Sequence, residues 1–310
     1  MRILIPTLAA LLPLAALAGT ATVSVSTTSD KKTVQPACTP PPLDSFIAVG
    51  DYGFHQDLKR GNGNIEVAHE NYEFDHRIPL DFLSWPGVDC GKWYLRLGAD
   101  YERFDYSIHN ETRLPDTLQS AAGIIALDYM VNGNTGFTIE TRPGVYFEHK
   151  VNSGSFDAPT NIALAYPIFG GDKFYLIAGV AVSALSEYPV LPIGGILWHI
   201  NEKWDLRAYM PNPRLVYQWN DHFELWAGGE LDGGAYKTDN RNVTPVKFSG
   251  AVVTYDEIRT GGGLTWKAKP LTLDLGAGYT VYSEFNYNRA GLSFETHPAP
   301  YIRLTARLDF

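Results

Sequence analysis

The sequence predicts an all-β fold, an antiparallel up-and-down transmembrane β-barrel of about 12–14 strands. Three observations carry this prediction. Apolar and polar residues alternate with a period of two along most of the chain, many of the alternating segments exceed ten residues, and the links between them alternate between short and long. Successive strand residues point to opposite faces, so each such segment has one apolar and one polar face.

The N-terminus carries a predicted export signal over residues 1–18. Arg2 precedes an apolar run over residues 3–17, and a small-x-small pattern ends at Ala18. This arrangement is typical of a cleaved signal peptide. The alternative is a transmembrane anchor. It is disfavoured because Pro6 and Pro13 interrupt a run shorter than the roughly 20 residues that span a bilayer.

Residues 19–43 are rich in Ser, Thr and Pro and poor in large apolar side chains. Such a segment buries too little surface to offset its ordering entropy, which predicts a disordered tail before a barrel over residues 44–310. The alternative is a plug folded into the barrel. Cys38 and Cys90 are the two cysteines of an exported chain, and in an oxidising compartment they form a possible disulfide.

The segment "KWYLRLGADYERF" illustrates the alternation. Trp93, Leu95 and Leu97 share one face, whereas Arg96 and Asp100 lie on the other. About 9–11 tilted residues suffice to cross a bilayer, and aromatic residues at both ends of such a strand are typical of the membrane interfaces. The competing explanation is that Tyr and Trp simply favour strands.

We predict fourteen strands, although merging the two short ones over residues 203–219 or omitting the first would give about twelve. Links of few residues lie on one side, and links 107–117, 150–157, 233–253 and 286–299 lie on the other. Short periplasmic turns and longer outer loops would place both termini, and both cysteines, on the periplasmic side. The predicted strands are 45–54, 64–82, 92–106, 118–131, 136–149, 158–168, 173–185, 189–200, 203–210, 212–219, 222–232, 254–266, 270–285 and 300–310.

Residues 174–185 and 190–198 form two apolar runs that resemble a helical membrane hairpin. Each run is shorter than a helical span, and Pro189, Pro192 and several glycines disfavour a helix. We therefore expect two strands that are apolar on both faces, so that part of the barrel interior is apolar or is covered by the tail.

The last ten residues, "YIRLTARLDF", place Ile302, Leu304, Leu308 and Phe310 on one face. This pattern resembles the C-terminal signal by which bacterial outer-membrane β-barrels are recognised by their assembly machinery. The central "YPVLPIGGILWHINEKWDLRAYMPNPRLVYQWND" is similar to a segment of an uncharacterised outer-membrane barrel family, a domain of unknown function. The resemblance implies a Gram-negative outer-membrane location, with lipid and the barrel-assembly machinery as partners, and supplies no catalytic residues.

No catalytic motif is recognisable, so we expect no catalytic residue, cofactor or metal. Asp75-His76 and Asp221-His222 resemble the dyads of barrel proteases, but neighbouring strand residues point to opposite faces. In "HENYEFDH", His69, Glu73 and Asp75 share a face and form a conceivable metal site. We interpret them as a solvated strand end.

Charged residues on the polar faces are predicted to face the lumen. They would either brace a narrow interior as ion-pair networks or line a channel and select solutes by charge. They are Arg96, Asp100, Glu102, Glu140, Arg142, Asp205, Arg207, Glu224, Glu230, Glu257, Arg259, Asp274, Arg303 and Arg307.

The function predicted from these features is passive: a porin-like channel, a solute-uptake barrel with a small solute in its lumen, or a structural barrel. A barrel enzyme acting on lipid or peptide and a soluble secreted β-sandwich binding protein are the alternatives. The net charge of −9 disfavours a nucleic-acid partner because no basic patch is present to neutralise phosphates.

Overall fold

A computed structural model describes residues 40–83, 91–131, 134–168, 173–240, 246–287 and 290–310. Strands dominate this part of the chain, where no helix is long and apolar enough to cross a membrane. The strand segments are β1 Asp44–Asp57, β2 Asn64–Pro79, β3 Gly91–His109, β4 Thr117–Val131, β5 Asn134–Thr141, β6 Gly144–Phe147, β7 Phe156–Asp157, β8 Thr160–Pro167, β9 Phe174–Val182, β10 Val190–His199, β11 Trp204–Tyr209, β12 Arg214–Gln218, β13 Phe223–Lys237, β14 Val252–Ala268, β15 Leu271–Tyr287, β16 Leu292–Glu295 and β17 Ala299–Asp309.

The sheet closes on itself into a barrel of 14 strands, because β5 with β6, β7 with β8, and β16 with β17 each form one interrupted strand. Closure is antiparallel between the first and last strands, in a register that runs from Ser45↔Asp309 to Gly53↔Tyr301. Asp44 and Phe310 also exchange two backbone hydrogen bonds of 2.9 and 3.0 Å. The predicted antiparallel barrel is confirmed.

The links fall into two sets at opposite ends of the barrel. The turn end carries both strand termini, Asp44 and Phe310, together with short links such as 200–203, 219–222 and 269–270. The loop end carries 110–116, 148–155, 183–189 and 238–251. The predicted loop 233–253 is shorter than expected, because β13 continues to Lys237 and β14 begins at Val252.

The outer surface is apolar and exposed along the strands. Leu304 is 51% exposed and Leu275 is 58% exposed, whereas a water-soluble protein would bury a row of such side chains in its core. Near the turn end, aromatic side chains form an outer belt in which Trp93 lies 5.0 Å from Tyr129. The belt comprises Trp93, Tyr129, Phe137, Phe174, Trp198, Trp204, Tyr217, Trp219 and Trp266. An apolar band bordered by aromatic residues is the outer surface expected of a membrane barrel.

Strand length divides the barrel into two sectors. The long strands β1–β4 and β13–β15, here the packed sector, have 14 to 19 residues each. The strands β8–β12, here the short-strand sector, have 5 to 10 residues each. At the loop end, the tip of β13 meets the tip of β6 in a parallel bridge between Lys237 and Phe147, and so bypasses the short strands.

The approach of β13 to β6 coincides with a backbone irregularity. Gly233 has a φ of +123°, and a side chain there would collide with the backbone carbonyl of Tyr255 on β14. Only glycine adopts this conformation without a steric cost, so the sequence permits β13 to bend at this point. The long strands thereby enclose a narrower space at the loop end than the fourteen strands enclose at the turn end.

Candidate functional site: the barrel interior

The loop-end interior of the packed sector is filled by an aromatic core. The Phe104 ring lies 5.3 Å from Tyr255, and the Tyr106 ring lies 4.9 Å from Phe285, in edge-to-face arrangements. These rings are buried, and Tyr236 and Tyr287 extend the same cluster. Inward residues here are large and contact one another across the barrel, so this level of the interior is closed to solute.

Directly below the aromatic core lies a buried cluster around Arg259. Its guanidinium binds Asp51 and Glu257, each at 2.8 Å. The His69 ring stacks on Phe104 at 4.1 Å, and its Nδ1 lies 2.7 Å from Asp51 Oδ2. The second nitrogen of His69 lies 3.2 Å from Glu102 Oε1, and Asp232 completes the cluster 3.7 Å from Nδ1. Nearly every charge in this Arg259 cluster has a partner.

A second buried cluster surrounds Arg142, between β5 and β6. Its guanidinium binds Glu140 at 2.7 Å and Glu73 at 2.9 Å, and lies 3.5 Å from Asp100. Arg96 joins this Arg142 cluster through Glu140 at 2.6 Å. Buried charges are tolerated only when paired and hydrogen-bonded in this way. The networks therefore brace the packed sector across strands distant in sequence.

The fourteen charged residues that the sequence predicts to face inward occupy three environments. Six of them lie in the Arg259 and Arg142 clusters or bind directly to them: Arg96, Glu102, Glu140, Arg142, Glu257 and Arg259, with Asp100 beside Arg142. Glu224 pairs with Lys267 at 2.5 Å, and Glu230 pairs with Arg303. Asp205, Arg207, Asp274 and Arg307 are partly accessible, nearer the turn end.

The interpretation of "HENYEFDH" as a solvated strand end is wrong. His69, Glu73 and Asp75 share the inner face of β2, and all three are buried. The sequence marks their shared face, but burial depends on β1, β3 and β14, whose charged residues reach them across the barrel. Asp51, Asp128 and Asp232 are further inward charges that were not predicted, although each lies in phase with a predicted polar face.

Neither candidate dyad is assembled. Asp75 points inward and accepts a hydrogen bond from Ser45 at 2.9 Å, whereas His76 points outward and lies 2.7 Å from Asp44. His222 occupies the turn between β12 and β13, where its Nδ1 lies 3.1 Å from the carbonyl oxygen of Lys267. Asp75, His76 and His222 therefore each make a structural contact outside their own pair.

Two groups in the described residues bring metal-ligating atoms within 4.8 Å of one another. The first, Asp51, His69 and Asp232, is part of the Arg259 cluster, and the guanidinium already supplies its positive charge. The second, Asp116, Glu148 and His149, lies at the loop end. There the two ring nitrogens of His149 lie 3.2 Å from Asp116 and 3.5 Å from Asp239, an ion-pair arrangement that joins three loops.

The short-strand sector presents a different inner wall. Its inward residues on β8–β10 are mostly small or apolar, and Ile177, Leu197 and Tyr209 form a small apolar cluster. On β11 and β12 the inward residues include Arg207, beside Asp205, and Arg214, beside Asp274. Ile193 on β10 and its inward neighbours Leu191 and Gly195 are partly accessible, so open space adjoins this part of the wall, whereas Ile177 and Leu197 are buried. Polar groups appear at the turn end, where His199 Nδ1 lies 2.7 Å from Asp205. The predicted apolar inner faces of residues 174–198 are present.

The predicted assembly residues Ile302, Leu304, Leu308 and Phe310 all lie on the outer face of β17 or directly after it, and Phe310 is 61% exposed. Recognition by assembly machinery stays a prediction. Cys38 and Cys90, the signal peptide and most of the predicted tail lie outside the described residues.

Comparison with known proteins gives one family match and several structural likenesses. The family described as "Domain of unknown function (DUF6268)" matches residues 46–306. No curated protein matches.

Two of the similar structures are named as channels. The COG4313 outer membrane channel from Pseudomonas putida F1 is 7% identical with a TM-score of 0.46, covering 91% of this chain and 100% of that one. The TodX deltaS2S3 mutant monoaromatic hydrocarbon channel is 10% identical with a TM-score of 0.41, covering 88% and 91%. The transport unit of the Escherichia coli autotransporter AIDA-I is 9% identical with a TM-score of 0.34, covering 97% and 96%.

Proposed function

The chain belongs to the DUF6268 family, and from this premise we propose that it is an outer-membrane channel whose solute path follows the short-strand sector. The observation that carries the proposal is the asymmetry of the interior. The packed sector is filled by the aromatic core and two ion-pair clusters, while part of the inner wall of the short-strand sector, around Ile193, is accessible.

The membrane location is supported by the outer surface. Leu275, Ile302 and Leu304 are each at least half exposed, on strands long enough to cross the apolar core of a bilayer. Transfer of such side chains from water to hydrocarbon is favourable, whereas exposure to water would promote aggregation. A periplasmic position of both termini agrees with the short links at their end of the barrel.

The path along the short strands is supported because buried side chains block an axial route through the packed sector. An axial route would have to pass between the Tyr106, Tyr255 and Phe285 rings, whose centroids lie 4.8–5.3 Å apart. Widening it would also separate Arg259 on β14 from Asp51 on β1, exposing buried charges. A route beside β8–β12 disrupts neither group.

The chemistry of the wall indicates the solute class. Ala165, Leu191 and Ile193 offer accessible aliphatic surface. The charged inward residues of this sector already have partners: His199 and Arg207 lie beside Asp205, and Arg214 lies beside Asp274. A small solute with an apolar surface would lose little hydration along this wall. A strongly charged solute would lack charged partners along most of the inner wall formed by β8–β10.

The test is solute flux into liposomes that contain the purified barrel. We expect flux of small neutral organic solutes above that of empty liposomes, and a large reduction in Ile193→Trp, which places a bulky ring on the inner wall. The matched control is Ile196→Trp on the outer face of the same strand, which should leave flux unchanged. Equal flux in wild-type and empty liposomes, or equal loss in both variants, would refute the proposed path.

A further inference from the structure

A row of polar side chains lies on the outer face of the barrel, near the loop end of β14 and β15. Asp256 lies directly opposite Glu284, and Thr254 lies directly opposite Asn286, in the antiparallel register. Residues paired in this way project to the same face with their Cβ atoms about 4.5–5.5 Å apart. The four side chains therefore form a compact patch whose donor atoms are largely oxygen.

A fifth polar group reaches this patch from the other sector. Glu187 belongs to loop 183–189 between β9 and β10, and its Oε2 accepts a hydrogen bond of 3.0 Å from Asn286 Nδ2. Asp157 anchors the start of this loop by accepting hydrogen bonds from Ser183 Oγ at 2.7 Å and from the Leu185 backbone N–H at 3.3 Å. A third carboxylate is thus held at the edge of the patch through Asn286. The oxygens of the three carboxylates do not yet all lie within 4.8 Å of one another, so a shared ion would draw them closer together.

Two residues of the patch, Asp256 and Thr254, are buried and have oxygen atoms without hydrogen-bond partners in the described part of the chain. Asp256 is 5% exposed and Thr254 is 1% exposed, yet Asp256 Oδ1 and Thr254 Oγ1 have no hydrogen-bond partner in the described part of the chain. A buried oxygen without a partner is costly, and most native examples are explained by a bound water or ion. Both orphaned oxygens lie on one strand face, two residues apart.

The two carboxylates contributed by β14 and β15 lie beside each other without a cation from the described ranges. Neither Asp256 nor Glu284 forms an ion pair with a Lys, Arg or His side chain of that part of the chain. Lys59 lies at the end of the same row but binds Glu295 at 2.7 Å, the residue opposite Glu284 on β16. Like charges directly opposite one another destabilise a sheet, so a proton or a bound cation must offset the charge of this buried acidic row.

We propose that Thr254, Asp256, Glu284, Asn286 and Glu187 form a calcium site that joins loop 183–189 to β14 and β15. Carboxylate, amide and hydroxyl oxygens are the ligands that Ca²⁺ prefers, and it accepts six to eight of them in flexible geometry. Glu187 is exposed, which leaves an entry path from the solvent. The ion would neutralise Asp256 and Glu284 and supply the missing partner of both orphaned oxygens.

The site is tested by titrating EDTA-treated, detergent-folded full-length protein with CaCl2 in a calorimeter. A second readout is the luminescence of Tb³⁺ excited through Tyr282, whose hydroxyl donates to Glu284 at 2.5 Å. We expect saturable binding of one ion and a higher unfolding temperature with Ca²⁺ than with EDTA, because a ligand that binds only the folded state stabilises it.

Asp256→Asn should weaken calcium binding by about tenfold or more, since it removes one charged ligand. In EDTA the same variant should unfold at a higher temperature than wild type, because it removes an uncompensated buried charge. Thr254→Val, which keeps the side-chain shape, should weaken binding by a smaller factor, and it tests the site even if Asp256→Asn does not fold.

The matched control is Glu70→Gln, an outer-face carboxylate that accepts a hydrogen bond from Tyr72 at 3.2 Å and lies outside the patch. It should bind calcium as wild type does. The proposal is overturned if wild type shows no saturable calcium binding, or if Asp256→Asn and Glu70→Gln bind with the wild-type affinity.

Discussion

The two sectors of the barrel wall differ in how completely their inward side chains fill the interior. The packed sector fills its interior with rings and paired charges, so that inward residues such as Phe104 and Arg259 are fully buried. The short-strand sector has mostly small and aliphatic inward residues on β8–β10, where Ile193 and its inward neighbours stay partly accessible. The same alternating pattern therefore gives a filled interior in the packed sector and partly accessible inward residues in the short-strand sector. Side-chain size and strand length decide between these outcomes.

The contrast extends to the ion pairs. Arg259 is held at 2.8 Å by two carboxylates from separate strands, with no exposed surface on any of the three side chains. Arg207 in the short-strand sector lies 3.8 Å from Asp205, and about a fifth of each side chain is exposed. Water screens the second pair and not the first, so the first is expected to matter far more for stability.

The largest effect is expected for Arg259→Ala. This substitution leaves Asp51 and Glu257 buried without their cation, which should lower the free energy of unfolding by about 3–5 kcal/mol. Arg207→Ala should cost less than about 1 kcal/mol, because its pair is partly solvated. Urea unfolding of the barrel in lipid vesicles measures both. Equal losses of unfolding free energy in the two variants would show that the burial of Arg259 does not make its ion pairs more important than that of Arg207.

The outer surface offers a test of facing that is independent of the sectors. Leu304→Arg places a charge in the apolar band near the middle of β17 and should cost roughly 2–4 kcal/mol. Thr305→Arg, the next residue, points inward among Arg303, Arg307 and Asp274 and should be milder. The same unfolding assay separates them. A milder effect for Leu304→Arg would contradict the assignment of that face to lipid.

A smaller effect is expected for Tyr236→Phe in the packed sector. The Tyr236 hydroxyl donates to Glu102 Oε2 at 2.9 Å in a fully buried setting, so its loss should cost about 1–3 kcal/mol. Tyr217→Phe on the outer face of β12 is the matched control and should be close to neutral. If Tyr236→Phe is also neutral, the hydrogen bonds of the Arg259 cluster contribute less than their burial suggests.

Much of the fold was predictable because it depends on local alternation. The period-two pattern identifies strands such as β3 and β15 and places Leu304 and Thr305 on opposite faces, and the alternation of link lengths places the termini at the turn end. The positive φ at Gly233 and the bridge between Lys237 and Phe147 were not predictable. The bridge joins segments about ninety residues apart, and no local pattern encodes that contact.

The candidate site was predictable only as a set of inward charges. The sequence places Arg96, Glu140 and Arg142 on inner faces, but which charges pair depends on barrel closure and register. His69 illustrates the limit: its neighbours are Asp51, Glu102 and Asp232 from three other strands. From its own segment it resembles a solvated residue. The possible Cys38–Cys90 disulfide stays a prediction.

The central claim, that the interior is closed on one side and accessible on the other, is tested most directly by thiol labelling. In a background with Cys38→Ser and Cys90→Ser, Ile193→Cys and Ser120→Cys are treated with a small water-soluble maleimide in folded barrels. Ser120 is fully buried on the inner face of β4, and cysteine is nearly isosteric with serine. We predict labelling of Ile193→Cys and protection of Ser120→Cys until unfolding. Equal labelling of both, or protection of both, would contradict the account.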